Sequence, residues 1–446
     1  MNTPICDFVR KYNEDAPLRL HMPGHKGADA LGMENADITE VKGADSLFEA
    51  DGIIKESEEN ASRLFGCPTY YSTEGSSQCI RAMLYLAMLY ARESGRTFRV
   101  LAARNAHKTF LSAVALLGAE VDWLYPEEDQ SYLSCTPHPK ELLARLREGR
   151  ELPTALYLTS PDYLGTLCDV EALAAVCHRF GVLLLVDNAH GAYLRFLPSS
   201  NHPMDLGADM ACASAHKTLP ALTGAAYLHL SSRLPVSVAS RAKDALALFG
   251  STSPSYLILQ SLDALNPRLA SELPRAISDF LPHAMHLYLV AQRVGFRPRS
   301  DEPLKITLCP KAYGYTGNDF ADELRLRGIE CEFSDPDYVV LMLSPLFSED
   351  VIKRIEDALA SISRREAIDT RPPALPHPVR VLSPREALLS PAETVGIGQA
   401  LGRVLATATV SCPPAVPVIV SGERIDKETL AALTYYGIES VTVVKE

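Results

Sequence analysis

Val182-Leu183-Leu184-Leu185-Val186-Asp187-Asn188-Ala189-His190-Gly191 is the stretch on which the fold turns. Five apolar residues without polar alternation read as a strand covered on both faces, the habit of parallel sheets wrapped by helices. The run stops at a carboxylate and an imidazole, which puts Asp187 and His190 just outside the carboxyl edge, where parallel sheets bind ligands. Upstream, Arg99–Ala103, Val121–Tyr125 and Thr154–Thr159 read as further strands. Helical spacing fills the gaps: Lys108 to Leu117 stopped by Gly118, Pro139–Arg147 and Asp169–Phe180. Asp209–Ala213 reads as one more short strand, running into Ser214-Ala215-His216-Lys217-Thr218. Ile80, Met83, Leu84, Ala87, Met88 and Ala91 recur at helical spacing directly after Gly75-Ser76-Ser77, which places a glycine-serine turn at a helix start. The pattern predicts an α/β large domain with a mostly parallel sheet.

The alternation breaks near Pro282. Leu304–Leu308 and Tyr338–Leu343 then read as strands, and Asn318–Arg327 and Asp350–Ile362 as helices. A proline-rich link, Arg371 to Pro378, leads to a final unit with its own turn, Cys412-Pro413-Pro414-Ala415-Val416-Pro417. The expected division is an N-terminal segment 1–60, a large domain 61–281, and two smaller α/β C-terminal domains, 282–370 and 371–446. The chain of 446 residues is long enough for several domains, and its 47% hydrophobic and 22% charged residues exclude wholesale disorder. With 43 basic and 55 acidic residues the net charge is −12, the wrong sign for a nucleic-acid or anionic-membrane partner. The longest nearly unbroken apolar stretch, Ala82 to Ala91, is about half of the roughly 20 residues a membrane span needs, so a cytoplasmic protein is expected. Ten scattered cysteines lack the short spacing of structural zinc and read as reduced thiols, and no metal site is expected. Gly396-Ile397-Gly398 with Gly402 does not follow a buried strand and is set aside as a dinucleotide loop.

Taken singly, an aspartate after a strand, a lysine after a strand and a Gly-Ser-Ser turn each have a plain structural use. Their order is more specific: a phosphate seat at Gly75-Ser76-Ser77, the strand-end Asp187, then Lys217 thirty residues on. Pyridoxal 5′-phosphate needs this arrangement in fold-type I, aspartate aminotransferase-like enzymes. There the helix start takes the phosphate, the carboxylate keeps the pyridine nitrogen protonated, and the lysine forms a Schiff base with the aldehyde.

His21-Met22-Pro23-Gly24-His25-Lys26-Gly27 resembles the N-terminal signature of the Orn/Lys/Arg decarboxylase family, as does Asp37-Ile38-Thr39-Glu40 continued by Gly43-Ala44-Asp45-Ser46-Leu47. Arg104-Asn105-Ala106-His107-Lys108-Thr109, Ser214 to Thr223 and Ser251-Thr252-Ser253-Pro254-Ser255-Tyr256 fit the same family. Because the core motif begins at His21, the likeness is to the short form without an N-terminal wing domain. The resemblance implies Lys217 as the Schiff-base lysine, Asp187 as partner of the pyridine nitrogen and His107 as the residue stacked on the ring. It also implies that Gly75, Ser76 and Ser77 hold the phosphate together with Ser214 and His216, and that His190 lies near the phenolic oxygen or packs on a helix face. Ser251 and Thr252 would reach the phosphate site of a neighbouring subunit, making the active unit a homodimer or larger. Pro413-Pro414-Ala415-Val416-Pro417 with Ser421-Gly422-Glu423 resembles the family's P-P-G-x-P…P-G-E element, which makes Glu423 the candidate reader of a substrate's distal cation. Ala415, Ser421, Asn188, Glu74 and Ala215 depart from the family's usual residues, and none of them replaces Lys217, Asp187 or His107. The implied reaction is loss of CO₂ from arginine, lysine or ornithine, giving a di- or polyamine. An aminotransferase, acyltransferase or lyase of the same fold, and a non-catalytic relative, are the alternatives.

Overall fold

The computed structural model describes residues 1–126, 131, 133–412 and 416–446; Pro413-Pro414-Ala415, the centre of the last predicted turn, lies outside the described residues. The central sheet has seven strands: β1 (Thr69–Ser72), β2 (Arg99–Ala103), β3 (Glu120–Leu124), β4 (Ala155–Thr159), β5 (Leu183–Asp187), β6 (Met210–Ala213) and β7 (Ala226–Leu230). Their order is β1-β7-β6-β5-β4-β2-β3. The β2/β3 and β5/β6 pairs are parallel, and β7 runs antiparallel to β1 and β6. All five residues of β5 are buried, as an apolar strand covered on both faces must be. The mixed α/β architecture with a mostly parallel sheet agrees with the expectation from Val182–Val186.

By its internal packing the chain divides into two units, residues 1–98, 143–156 and 170–275, and residues 99–142, 157–169 and 276–446. In the first, helix α1 (Pro4–Glu14) and helix α2 (Ile53–Phe65) pack with the helix Tyr256–Ala270 around buried Asp263. The Asp263 carboxylate accepts the Ile5 and Cys6 N–H groups and the Ser57 hydroxyl, so its buried charge is fully hydrogen-bonded. Helix α3 (Gly75–Glu93) packs on β7, β6, β5 and β1 through the face that its sequence spacing predicts, with only Met88 of those six positions not buried. The second unit holds helix α4 (Lys108–Leu117), which ends in left-handed Gly118 where the sequence predicts its stop. It also holds a small antiparallel sheet in the order β8 (Lys305–Leu308), β10 (Val339–Met342), β9 (Phe333–Ser334). Two antiparallel pairs complete it, β11 (Ala392–Gly396) with β14 (Ser440–Val444) and β12 (Thr409–Cys412) with β13 (Val416–Val420). One apolar cluster, including Phe333, Val340, Leu405, Val418, Leu433 and Val443, forms a core of this unit.

The helix Glu272–Val294 runs through Pro282, where the sequence places a domain boundary. Proline removes a single N–H donor from a helix interior, and the helix continues on both sides of Pro282. Among the described residues no helix is long and apolar enough to cross a membrane. The described cysteines are free thiols.

Candidate active site

Two strand ends of the first unit build the site. Asp187 closes β5 and pairs in register with Cys212 on the neighbouring parallel strand β6. Its carboxylate is 2% exposed, and Oδ1 accepts the Ala189 N–H at 3.1 Å and the Cys212 thiol at 3.4 Å. Burial, then the Asp187 charge, pushes the Cys212 thiol well above its usual range, so the sulfur keeps its proton and donates it. From β6 the chain enters a single helical turn, Ala215–Thr218. Lys217 projects from that turn, and its Nζ lies 3.0 Å from Nε2 of buried His190. The His216 Nδ1 donates to the Ala225 carbonyl at 2.9 Å, which fixes the orientation of the ring. The Ser214 N–H reaches the Ala189 carbonyl at 3.3 Å, while its hydroxyl is buried with no hydrogen-bond partner among the described residues.

The third element is the turn between β1 and α3. Gly75 sits at φ +71°, in the left-handed region, and its N–H donates to the Gly224 carbonyl at 2.8 Å. A Cβ on Gly75 would meet nothing nearer than the His216 ring at 4.0 Å, so this backbone is open on the side of the lysine turn. The Ser72 hydroxyl bonds the Gly75 carbonyl and the Gln78 side chain, holding Ser76 and Ser77 at the start of a 19-residue helix, where the positive end of the helix dipole favours an anion. Ser251 and Thr252 are exposed, and the Ser251 N–H donates to the Glu74 carboxylate just before the glycine. The first unit thus brings together Gly75, Ser76, Ser77, Asp187, His190, Ser214, His216 and Lys217, with Ser251 tied to the edge of the turn and Thr252 next to it in the chain.

His107 and Glu423 belong to the second unit. His107 caps α4: its Nδ1 accepts the Thr109 N–H at 3.2 Å, so the neutral ring carries its proton on Nε2. Glu423 is 2% exposed. Its Oε1 accepts Arg104 Nη1 at 2.9 Å, and its Oε2 accepts Arg104 Nη2 at 2.7 Å and the Val420 N–H at 2.9 Å. Arg104 is itself 1% exposed, with its guanidinium 4.9 Å from the Trp123 ring and 5.4 Å from the Tyr125 ring. The carboxylate expected to read a distal cation is therefore already neutralised by a protein guanidinium.

Arg104 and Cys212 escape sequence reasoning as site residues. The sequence quotes Arg104 only as part of a motif, and Cys212 reads as one more buried thiol, because their partners are fixed by strand register and long-range packing. The only local signal is position: Arg104 begins the turn that His107 ends, and Cys212 stands five residues before Lys217.

Comparison with known proteins follows the same lines. The family model described as Orn/Lys/Arg decarboxylase, major domain, matches residues 3–288, and the one described as the C-terminal domain of that family matches residues 375–441. The arginine decarboxylase of Bacillus subtilis is 28% identical over 96% of this chain and 92% of its own length. The arginine decarboxylase of Halalkalibacterium halodurans is 29% identical with the same coverages. Among solved structures, the Francisella novicida lysine decarboxylase LdcF superposes with a TM-score of 0.80 at 18% identity, over 99% of this chain and 81% of that one. The Escherichia coli constitutive lysine decarboxylase gives 0.78 at 19%, over 100% and 82%. These structures share the fold, and the match of the major-domain model over most of the chain goes further: the protein belongs to the Orn/Lys/Arg decarboxylase family.

Proposed function

We propose that the protein decarboxylates a basic L-amino acid, arginine foremost, with pyridoxal 5′-phosphate held by the strand ends of the first unit. The residues fit that cofactor. An open left-handed glycine and two serines start a long helix, the Ser214 hydroxyl is buried and uncommitted, and a buried carboxylate and an amine flank the same sheet edge. Gly75, Ser76, Ser77, Ser214 and His216 would hold the phosphate, His107 would stack on the ring, and Lys217 would carry the aldehyde carbon. Once bound, the cofactor supplies a ring that accepts the electron pair left at Cα when CO₂ departs.

The chain's own groups do the rest. The Asp187 carboxylate, held by the Ala189 N–H and the Cys212 thiol, keeps a ring nitrogen protonated, because an opposite charge in a desolvated place favours the charged form. His190 sits within proton-transfer reach of Lys217 Nζ and can take the ammonium proton, leaving the amine nucleophilic. With the proton back on Nζ, Lys217 can return it to Cα of the product. The observation that carries the reading is the 3.0 Å contact between Lys217 Nζ and buried His190, beside the strand that ends in Asp187.

Arginine is placed first because the Bacillus subtilis and Halalkalibacterium halodurans relatives, matched over nearly their whole length, are named arginine decarboxylases. The product would then be agmatine, a polyamine precursor. Exposed Ser251 and Thr252 are assigned to the phosphate seat of a second copy, so the working unit is a cytoplasmic homodimer. The division at 281/282 and 370/371 is kept as a proposal; the restart of the family match at residue 375 supports separating the last segment.

Two measurements test this. Purified protein should be yellow with cofactor, and Lys217→Ala should lose the visible band; a band that survives would remove Lys217 from the site. Incubation with arginine, lysine and ornithine should release CO₂ and the matching amine, whereas turnover only with keto acids or acyl-CoA would replace the decarboxylase by another reaction of the same fold.

A further inference from the structure

We infer that Arg104 and Glu423 form a positioning clamp for the His107 turn, and that Glu423 acts on the reaction only through Arg104. Three observations carry this. First, the carboxylate is bound by both guanidinium nitrogens and by a backbone N–H, and both side chains are buried, so the two charges cancel inside the protein. Drawing Glu423 away to a substrate ammonium would strand a buried guanidinium, a strongly unfavourable exchange. Second, the pair is fixed from both sides. Glu423 closes a turn in which its N–H bonds the Val420 carbonyl and its carbonyl accepts the Leu405 N–H. Gly422 stands at φ +87° there, with the Leu382 carbonyl where a Cβ would go. On the other side the Arg104 N–H bonds the Leu124 carbonyl at 2.8 Å, and Trp123 of β3 and Tyr125 just after it flank the guanidinium. Third, Arg104 is the first residue after β2 and His107 is the N-cap of α4, so the clamp grips the two-residue turn that aims the histidine.

The inference rests on the proposed role of His107, and its test is arranged to fail separately. Trp123 is the only tryptophan in the chain, so its emission reports the Arg104 contact in the apoprotein without any cofactor. Arg104→Met and Glu423→Gln should each shift that emission by a similar amount. In the holoenzyme both should lower kcat about tenfold or more, while KM for arginine and lysine changes less than about threefold. The double variant Arg104→Met/Glu423→Leu, which leaves no unpaired charge, should melt at a higher temperature than either single variant. A purely structural pair would lower thermal stability without changing kcat at temperatures where the variants stay folded. A Glu423→Gln variant with KM raised tenfold or more, beside Arg104→Met with normal kcat and KM, would overturn the clamp and return Glu423 to the substrate. Failure of the Lys217→Ala absorbance test would sink the cofactor reading and leave the Trp123 result standing.

Discussion

Lowering the pH from 7.5 to 5 should remove about 2 kcal/mol of stability from the first unit through His202 alone, and about 3 kcal/mol by pH 4. His202 and His229 of β7 are fully buried, with ring centroids 5.0 Å apart, and both lie against Phe65. Burial pulls His202 from its ordinary 6.5 down to about 4, with Asp205 pulling the other way and Arg195 adding to the fall. Burial, then the neighbouring His202, holds His229 well below its usual range. A histidine whose folded pKa is depressed contributes stability that is complete above 6.5 and lost as the pH falls toward 4, because the unfolded chain binds the proton first. His229 adds to the same loss, and the two cannot charge together without like-charge repulsion.

His202→Asn isolates the effect. The His202 Nδ1 accepts the Met204 N–H at 3.4 Å, a bond that an amide oxygen can replace, while the titrating ring is gone. The variant should be less stable at neutral pH, because a smaller side chain leaves a cavity, yet its stability should fall less on acidification by about 2 kcal/mol at pH 5. Hydrogen exchange at the paired amides of β1 and β7, corrected for intrinsic rates, reads the opening free energy where these rings pack. A wild-type opening energy that stays flat from pH 7.5 to 5, or an Asn variant with the same slope, would refute the argument.

Further expectations concern the second unit. Burial raises Asp335 to about 7 from an ordinary 3.8, so the wild type should lose roughly 4 kcal/mol as pH climbs from about 4 through 7, and Asp335→Asn should not; exchange at the β9/β10 amides measures the difference. Lys305 Nζ and Glu302 Oε1 pair at 3.0 Å with both side chains buried. Lys305→Met should therefore cost about 3–5 kcal/mol by stranding the carboxylate, and Lys305→Met/Glu302→Leu should recover most of it in a calorimetric melt. A single variant as stable as wild type would show that Glu302 finds water or another cation.

Legibility followed the range of the interaction. The β5 strand could be read from five apolar residues, and α4 from its periodicity and Gly118, because each is set by contacts within one or two turns of chain. The order of Gly75, Asp187 and Lys217 was legible for the same reason: each stands at a strand-to-helix turn that local pattern announces. Glu423 was legible as a motif residue but not in its partner, since Arg104 lies 319 positions away and reaches it only when the chain folds. Pro282 shows the converse: a helix-breaking residue type that the surrounding helix Glu272–Val294 accommodates.

By itself, then, the amino-acid sequence determined the α/β architecture, the strand-end positions of Asp187 and Lys217 and the family, because hydrophobic period and turn chemistry act over a few residues. Tertiary structure alone decided which charges are spent on each other. It set the Cys212 thiol under Asp187, the Arg104 guanidinium on Glu423, and His202 against His229 away from water. Burial and strand register, which set those partners, depend on every segment between them being in place.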